Sequence, residues 1–202
     1  MKLYYSPGAC SLASHIALQE SGLAFEAIAA PTKTHQLADG TDYYTINPLG
    51  YVPLLVLDDG RQLREGQVIL QYVADQVPAK TLAPANGTFE RYKLQEWLGF
   101  IGTELHKGFS PLFNAAMPQD AKTIAKTRLD SRLQWVDGEL AGKSYLMGDT
   151  FTVADAYLFT VASWSQRVGV DISALANLGA FMARVAARPA VQNALRAEGL
   201  LS

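Results

Sequence analysis

The order of strand-like and helix-like segments at the start of the chain constrains its fold more than any other feature. Lys2 to Tyr5 and Phe25 to Ala29 have the composition of short strands. Between them, Ser11 to Gly22 places small and apolar residues at helical spacing and ends on a glycine, a common helix terminator. A strand, a helix and a second strand in close succession predict a βαβ unit with parallel strands.

The residues up to about position 80 complete an α/β domain. Residues 34–49 are polar and irregular, so we expect a loop with a short helical piece. Residues 53–57 and 61–63 are short runs on either side of an Asp-Gly turn, which predicts an antiparallel hairpin. A further helix opens at Glu65. The predicted order, β-α-β-α-β-β-α, is that of a thioredoxin-like domain.

The rest of the chain has only helical periodicity. Apolar residues recur at helical spacing in four segments, which begin at Leu94, Leu129, Tyr157 and Leu178. We place the domains at 1–80 and 88–202, joined by a linker at 81–87, a region rich in Pro, Ala, Gly and Asn. The expected fold class is therefore α/β plus all-α, with a C-terminal helical bundle after the thioredoxin-like domain.

The composition narrows the classes of function. The chain has 202 residues, 18% of them charged, and a net charge of -2, which favours neither nucleic acid nor an anionic membrane as a partner. Its start lacks the long apolar segment of a secretory signal, so we expect a cytoplasmic protein. The single cysteine excludes an intrachain disulfide and a cysteine-rich metal site. The three histidines have no metal-like spacing, and no metal is expected.

Cys10 is the first candidate for chemistry because it falls at the start of the first predicted helix. Unpaired amides and the helix dipole favour an anion there, and a thiolate in that position can have a lowered pKa and act as a nucleophile. The alternative is a small buried residue that only packs. The neighbouring Ser11 is expected either to cap the helix or to donate a hydrogen bond to a bound thiolate.

Two further positions in this domain suit an amino-acid ligand. If the peptide bond before Pro53 is cis, the N–H and C=O of Val52 can pair with an extended peptide; otherwise Pro53 only begins a strand. Glu65 and Gly66 open a helix whose amides can hold a carboxylate, while Glu65 can pair with an ammonium group. The alternative is an ordinary helix start with an acidic first residue.

Candidates in the helical part are open to two interpretations. His106 and Lys107 either raise the positive potential of a site or face solvent. Phe109, Phe113 and Trp164 either line an apolar pocket or belong to the core. Helical spacing alone does not distinguish between these interpretations.

Five motifs along the chain resemble those of one enzyme family in type and order. They are KLYYSPGACSL at positions 2–12, NPLGYVP at 47–53, LREG at 63–66, ELHKGF at 104–109 and FTVADAYL at 151–158. Together they are similar to the bacterial beta class of glutathione transferases, and the similarity runs through the whole chain. A cysteine near the first helix, where other classes usually have tyrosine or serine, is typical of the beta class.

The resemblance implies a cytoplasmic homodimer, active in detoxification, that conjugates the thiol of glutathione to small hydrophobic electrophiles. The implied catalytic residues are Cys10, Ser11 and His106, with Cys10 and His106 near the sulfur. Phe109, Phe113 and Trp164 are implied to form the acceptor pocket. The implied glutathione-binding residues are Cys10, Thr34, Tyr51, Val52, a cis Pro53, Glu65, Gly66, Thr103, His106 and Lys107.

Three alternatives stay open. Cys10 also permits thiol-transferase or peroxidase activity through a mixed disulfide with glutathione. A glutathione-dependent dehalogenase with one specific substrate is a second alternative. The third is a non-catalytic protein that binds glutathione or hydrophobic ligands. This last alternative is favoured by Gly99, which stands where many members of the family carry asparagine.

Overall fold

The computed structural model describes residues 1–201. The described chain divides into two compact units. The first unit contains residues 1–82 together with those from 187 to the end of the described chain, and the second contains residues 83–186. The first unit contains a mixed sheet flanked by helices, and the second is helical. The expected fold class, α/β plus all-α, is confirmed.

A four-stranded mixed sheet in the order β2-β1-β3-β4 forms the centre of the first unit. The strands are β1 (Lys2–Tyr5), β2 (Glu26–Ala29), β3 (Leu54–Val56) and β4 (Gln62–Leu63). β1 runs parallel to β2 and antiparallel to β3, and β3 pairs antiparallel with β4. The predicted βαβ unit and the predicted hairpin are therefore both present.

The helices in chain order are α1 (Ser11–Ser21), α2 (Gly66–Asp75), α3 (Phe89–Phe100), α4 (Lys107–Phe113), α5 (Gln119–Glu139), α6 (Val153–Ala162), α7 (Ala176–Ala186) and α8 (Pro189–Ala197). α1 ends at Gly22, whose φ of 73° is a left-handed conformation that glycine adopts without strain. The helical piece expected within residues 34–49 is a single 3₁₀ turn, Tyr43–Thr45. Asp42 caps this turn by accepting a hydrogen bond from the Tyr44 amide.

The last helix belongs to a different unit from the one predicted. The sequence assigned residues 88–202 to the helical domain, but α8 packs on α1 in the first unit. Arg188, just before α8, forms a bidentate salt bridge with Glu20 of α1. Glu198, just after α8, pairs with His15 of α1. The helical periodicity of apolar residues identifies α8 as a helix but does not show which unit its apolar side packs against. The predicted domain boundary therefore differs from the observed one.

In the second unit, α6 is buried along its whole length. A capping box forms at its start, with Thr152 and Asp155 each bonding the other's backbone. The long helix predicted through Leu94 and Leu105 is interrupted by a π-helical segment, Ile101–His106, between α3 and α4. Apolar residues spaced by four fit both α and π turns, so their spacing does not reveal the interruption. Within residues 1–201, no helix combines the length and apolar character needed to cross a membrane.

Candidate active site

Cys10 lies directly before α1 and is half-buried. Its thiol donates a hydrogen bond to the backbone carbonyl of Val52, with a sulfur–oxygen distance of 3.3 Å. Its side chain does not cap the helix. The sulfur of Cys10 therefore lies beside the backbone of the segment that leads into β3.

A hydrogen-bonded turn holds the residues before Cys10. The buried hydroxyl of Ser11 accepts a hydrogen bond from the Ser6 amide at 3.1 Å and donates one to the Ser6 carbonyl at 3.3 Å. The Gly8 amide donates to a carboxylate oxygen of Glu198 at 2.8 Å. Of the two roles expected for Ser11, helix capping is absent. Donation to a thiolate stays a prediction. It requires the hydroxyl to give up its hydrogen bond to the Ser6 carbonyl.

Val52 is held in place by the residue before it. The carbonyl of Tyr51 accepts hydrogen bonds from the Asn47 side-chain amide at 2.8 Å and from the Tyr43 hydroxyl at 2.9 Å. Burial raises the pKa of Tyr43 to about 12, so this hydroxyl remains a donor at neutral pH. The peptide bond between Val52 and Pro53 is cis. Among residues 1–201 the backbone N–H of Val52 has no hydrogen-bond partner. In the same range, the carbonyl of Val52 accepts a hydrogen bond only from the Cys10 thiol, which is a weak donor.

Glu65 directly precedes α2 and has a φ of 64°, an unusual value for a residue other than glycine. The amides of Gly66 and Gln67 have no hydrogen-bond partner in the described part of the chain. Unpaired amides at a helix start attract a carboxylate. The exposed carboxylate of Glu65 can attract a cation. This end of α2 therefore suits a ligand that carries both an ammonium group and a carboxylate.

Thr34 and Tyr51 both have exposed side chains, and Tyr51 is 69% exposed. Tyr51 follows Gly50, whose φ is 66°. A Cβ at Gly50 would come within 2.7 Å of the Tyr44 ring, so only glycine fits this turn without a shift. The structure thus explains how the loop before Val52 is shaped, whereas the roles of Thr34 and Tyr51 in binding stay predictions.

In the second unit, His106 ends the π-helical segment and is half-buried. Its Nδ1 lies 2.8 Å from the hydroxyl of Tyr157 on α6. The ring of Trp164 meets the imidazole edge-on, with the ring centroids 5.0 Å apart. Burial, and to a smaller degree the positive charge of Lys107, lowers the pKa of His106 to about 4. At neutral pH the imidazole is therefore uncharged.

The predicted acceptor residues form one aromatic cluster within this unit. Phe109 and Phe113 both meet Trp164 edge-on, with ring centroids 5.8 and 5.7 Å apart. Phe109 is completely buried, so it supports Trp164 without offering a surface of its own, whereas Phe113 is 48% exposed. Phe109 and Trp164 are thus part of the core of this unit, whereas the role of the cluster as an acceptor pocket stays a prediction.

Thr103 and Lys107 line a cavity of about 390 Å³ between the π-helical segment, α4 and α5. Glu104, in the same wall, accepts hydrogen bonds from Arg128 and Arg132 of α5. The carbonyl of Gly99 accepts a hydrogen bond from the Thr103 hydroxyl at 3.0 Å. A Cβ at Gly99 would meet no atom within 4 Å, so no steric contact requires glycine there.

Several residues that shape these sites were not identified by sequence reasoning. The sequence placed Tyr157 in an apolar helical set and in the motif at 151–158, but it did not indicate the hydrogen bond with His106. Sequence reasoning did not single out Glu198, which bonds the distant Gly8 amide, or Tyr43, which lies in an irregular loop and bonds the Tyr51 carbonyl. Buried polar side chains are usually hydrogen-bonded, but a single sequence does not show which ones are buried.

A thioredoxin-like unit with a cysteine before its first helix, followed by a helical unit, is the arrangement of a class of proteins that act on thiols. Two family models match the chain and agree with this class. Residues 8–76 match the glutathione S-transferase N-terminal domain, and residues 100–189 match the glutathione S-transferase C-terminal domain.

Relatives extend this match over the full chain. The glutathione S-transferase GstA of Escherichia coli O157:H7 is 48% identical, over 99% of this chain and 100% of that protein. The beta-class glutathione S-transferase of Sphingomonas chungbukensis is 49% identical, with a TM-score of 0.96 and complete coverage of both chains. A sphingomonad glutathione S-transferase, solved in complex with glutathione, is 48% identical with a TM-score of 0.95, over 99% of this chain and 100% of that one. The protein belongs to the glutathione S-transferase family and is a glutathione transferase of the bacterial beta class.

Proposed function

We propose that this transferase binds glutathione extended along the first unit and conjugates its sulfur to small hydrophobic electrophiles. The observation that carries the proposal is the position of the Cys10 thiol against the carbonyl of Val52, next to an unpaired Val52 amide. An extended peptide can use such a backbone pair in the manner of strand addition. The glutathione complex of the sphingomonad relative supports glutathione as the co-substrate.

The three parts of glutathione are assigned to different residues. The cysteinyl part pairs with the Val52 backbone before Pro53, and its amide replaces the Cys10 thiol at the Val52 carbonyl. The γ-glutamyl end, with both charges, binds Glu65 and the amide of Gly66 at the start of α2. The glycyl end is assigned to Thr34, Tyr51 and Lys107, and Thr103 completes the set.

The chemistry requires a glutathione thiolate. A free thiol has a pKa of about 8.5, so only a few per cent is ionised at neutral pH. Lowering this pKa by about two units corresponds to roughly 2.7 kcal/mol of differential stabilisation. Cys10 and His106 donate hydrogen bonds that stabilise the thiolate. Ser11 adds a third when its hydroxyl gives up the hydrogen bond to the Ser6 carbonyl. The apolar acceptor is assigned to Trp164 and Phe113, with Phe109 behind them.

Cys10 gives the protein a second possible reaction. Its thiolate attacks one sulfur of oxidised glutathione, the disulfide bond breaks, and glutathione thiolate leaves, so that Cys10 ends in a mixed disulfide. This exchange is a thiol-transferase step. In a peroxidase cycle the Cys10 thiolate would instead attack an oxygen of a peroxide, the O–O bond would break and an alcohol would leave, and glutathione would then react with the resulting sulfenic acid, with loss of water, to give the same mixed disulfide. Attack of glutathione on a carbon–halogen bond, with loss of halide, is the corresponding step for a dehalogenase.

The remaining proposals concern the whole protein. We propose a cytoplasmic homodimer with a role in detoxification, as is typical of the family. The main alternative is a non-catalytic protein that binds glutathione or hydrophobic ligands. The observation that favours this alternative is Gly99, which has no side chain to help arrange the site.

The decisive experiment combines two measurements on one sample. Intact mass after incubation with oxidised glutathione reports the adduct on Cys10, and conjugation of dinitrochlorobenzene reports transferase turnover. Both signals together are the expected result. Glutathione affinity by calorimetry without turnover on any electrophile would favour the binding protein. The absence of affinity, adduct and turnover would overturn the proposed function.

A further inference from the structure

The imidazole of His106 is held by neighbours on two helical segments. The Tyr157 hydroxyl lies 2.8 Å from Nδ1, and the Tyr157 and His106 rings meet at 86°. Trp164 meets the imidazole at 72° on its 3₁₀ turn, Ser163–Val168. Tyr157 is only 5% exposed and lies on the fully buried helix α6. The rotation of the imidazole is therefore restricted by packed aromatic side chains.

The charge state of His106 follows from its surroundings. Burial and the Lys107 ammonium group lower its pKa to about 4, so the ring is neutral at pH 7. The carboxylates of the π-helical segment and of α6 are already bonded: Glu104 accepts from Arg128 and Arg132 of α5, and Asp155 of α6 takes part in the capping box. A neutral imidazole carries one proton, on either Nδ1 or Nε2.

The hydrogen bond with Tyr157 favours one of these tautomers. A phenol is a stronger donor than a neutral imidazole N–H, because its pKa of about 10 makes its proton more acidic. An imidazole nitrogen is a stronger acceptor than a phenol oxygen, whose lone pair is delocalised into the ring. The stronger pairing has the Tyr157 hydroxyl donating to Nδ1, which leaves the proton of the imidazole on Nε2.

Nε2 of His106 has no hydrogen-bond partner among residues 1–201. We propose that Tyr157 is a positioning residue that donates to Nδ1 of His106 and thereby holds the imidazole as the Nε2–H tautomer, a neutral hydrogen-bond donor and not a base. This inference rests on the proposed function, because the acceptor is the glutathione sulfur to which the family resemblance assigns His106. A donor N–H stabilises a thiolate, whereas a ring nitrogen with a lone pair would have to remove the thiol proton first.

The first test reads the tautomer directly and does not depend on turnover. Long-range ¹H–¹⁵N NMR spectra of histidine-labelled protein distinguish Nδ1–H, Nε2–H and the doubly protonated ring. The expected result at pH 7 is Nε2–H in the wild type and a tautomer mixture in Tyr157→Phe. An Nδ1–H or doubly protonated His106, or a Tyr157→Phe spectrum identical to that of the wild type, would overturn the inference.

The second test uses the kinetics of conjugation. Tyr157→Phe should lower kcat with an unchanged KM for glutathione. The expected loss is about tenfold, by analogy with removal of the hydrogen-bond partner of a metal-ligating histidine. Tyr92→Phe is the matched control, because it removes an exposed hydroxyl of α3 in the same unit. A raised KM with an unchanged kcat would contradict a positioning role.

A pair of His106 substitutions distinguishes donor from base. The amide of glutamine can place an N–H near the position of Nε2, whereas that of asparagine is too short. His106→Gln should therefore retain more activity than His106→Asn, and equal loss in both would favour a base. If the wild type binds no glutathione, the proposed function fails, and the NMR result alone decides the state of His106.

Discussion

At the residue scale, the Cys10 thiol, which donates a hydrogen bond to the Val52 carbonyl, has a different role in each of the two proposed reactions. In disulfide exchange Cys10 is the nucleophile, and its sulfur is indispensable. In the proposed conjugation Cys10 only donates a hydrogen bond to the glutathione sulfur, and the other proposed donors, His106 and Ser11, remain when it is lost. The two reactions therefore depend on Cys10 to different degrees.

We expect Cys10→Ala to abolish the glutathione adduct and to leave part of the conjugation activity. Intact mass and the dinitrochlorobenzene assay measure the two effects on the same preparation. Cys10→Ser is the matched variant, since it retains a hydroxyl donor but forms no disulfide. Disulfide exchange at the wild-type rate in Cys10→Ala would show that this assignment is wrong.

His106 should make the stability of the protein depend on pH. Its pKa is about 4 in the folded protein and about 6.5 when unfolded, so between these values the unfolded chain binds more protons. The free energy of unfolding should therefore fall as the pH drops from about 6.5 to about 4, by roughly 3 kcal/mol at most. His106→Gln lacks this contribution, and urea unfolding at several pH values measures the difference. Parallel pH curves for the two proteins would contradict the prediction.

At the scale of elements, α8 is joined to α1 by buried polar contacts. His15 Nδ1 and Glu198 Oε1 are 2.9 Å apart, with their side chains 1% and 0% exposed. The other carboxylate oxygen of Glu198 accepts the Gly8 amide. A contact at the C-terminal end of α8 thus helps to hold the turn that carries Cys10.

We expect Glu198→Ala to destabilise the first unit by about 3 kcal/mol, because it removes the buried carboxylate that accepts from the Gly8 amide and pairs with His15. Thermal unfolding followed by circular dichroism measures the loss. Glu26→Ala is the control, since it removes an exposed carboxylate from a surface pair with Lys2. Equal melting temperatures in the two variants would mean that the buried pair contributes little.

At the scale of the whole molecule, the first unit is completed by a segment from the other end of the chain. α8 packs on α1, and Arg188 and Glu198 at its two ends supply polar contacts. A chain that ends after Ala186 should therefore lose the stability of its first unit. The second unit, residues 83–186, retains all of its own helices.

The truncated chain 1–186 is expected to aggregate or to bind no glutathione, as measured by retention on glutathione resin and by circular dichroism. A chain that ends after Gly199 is the control, because it keeps α8 and Glu198. Normal binding by the 1–186 chain would show that α8 is dispensable for the first unit.

The sequence by itself determined the local elements of this protein. Tyr5, Gly22 and the Asp-Gly turn set strand and helix ends through nearest-neighbour preferences, which a single sequence displays directly. The position of Cys10 at a helix start and that of Pro53 at a strand start made them and Val52 candidates, and the five motifs identified the family.

Only the tertiary structure decided which distant residues meet. Helical spacing is the same whether a helix covers its own unit or another one, so it could not place α8 on α1. Nor could it reveal the π-helical segment that ends at His106, or the approach of Tyr157 to that ring. Hydrogen bonds between residues far apart in sequence depend on how whole helices and strands pack, and local sequence patterns do not determine that packing.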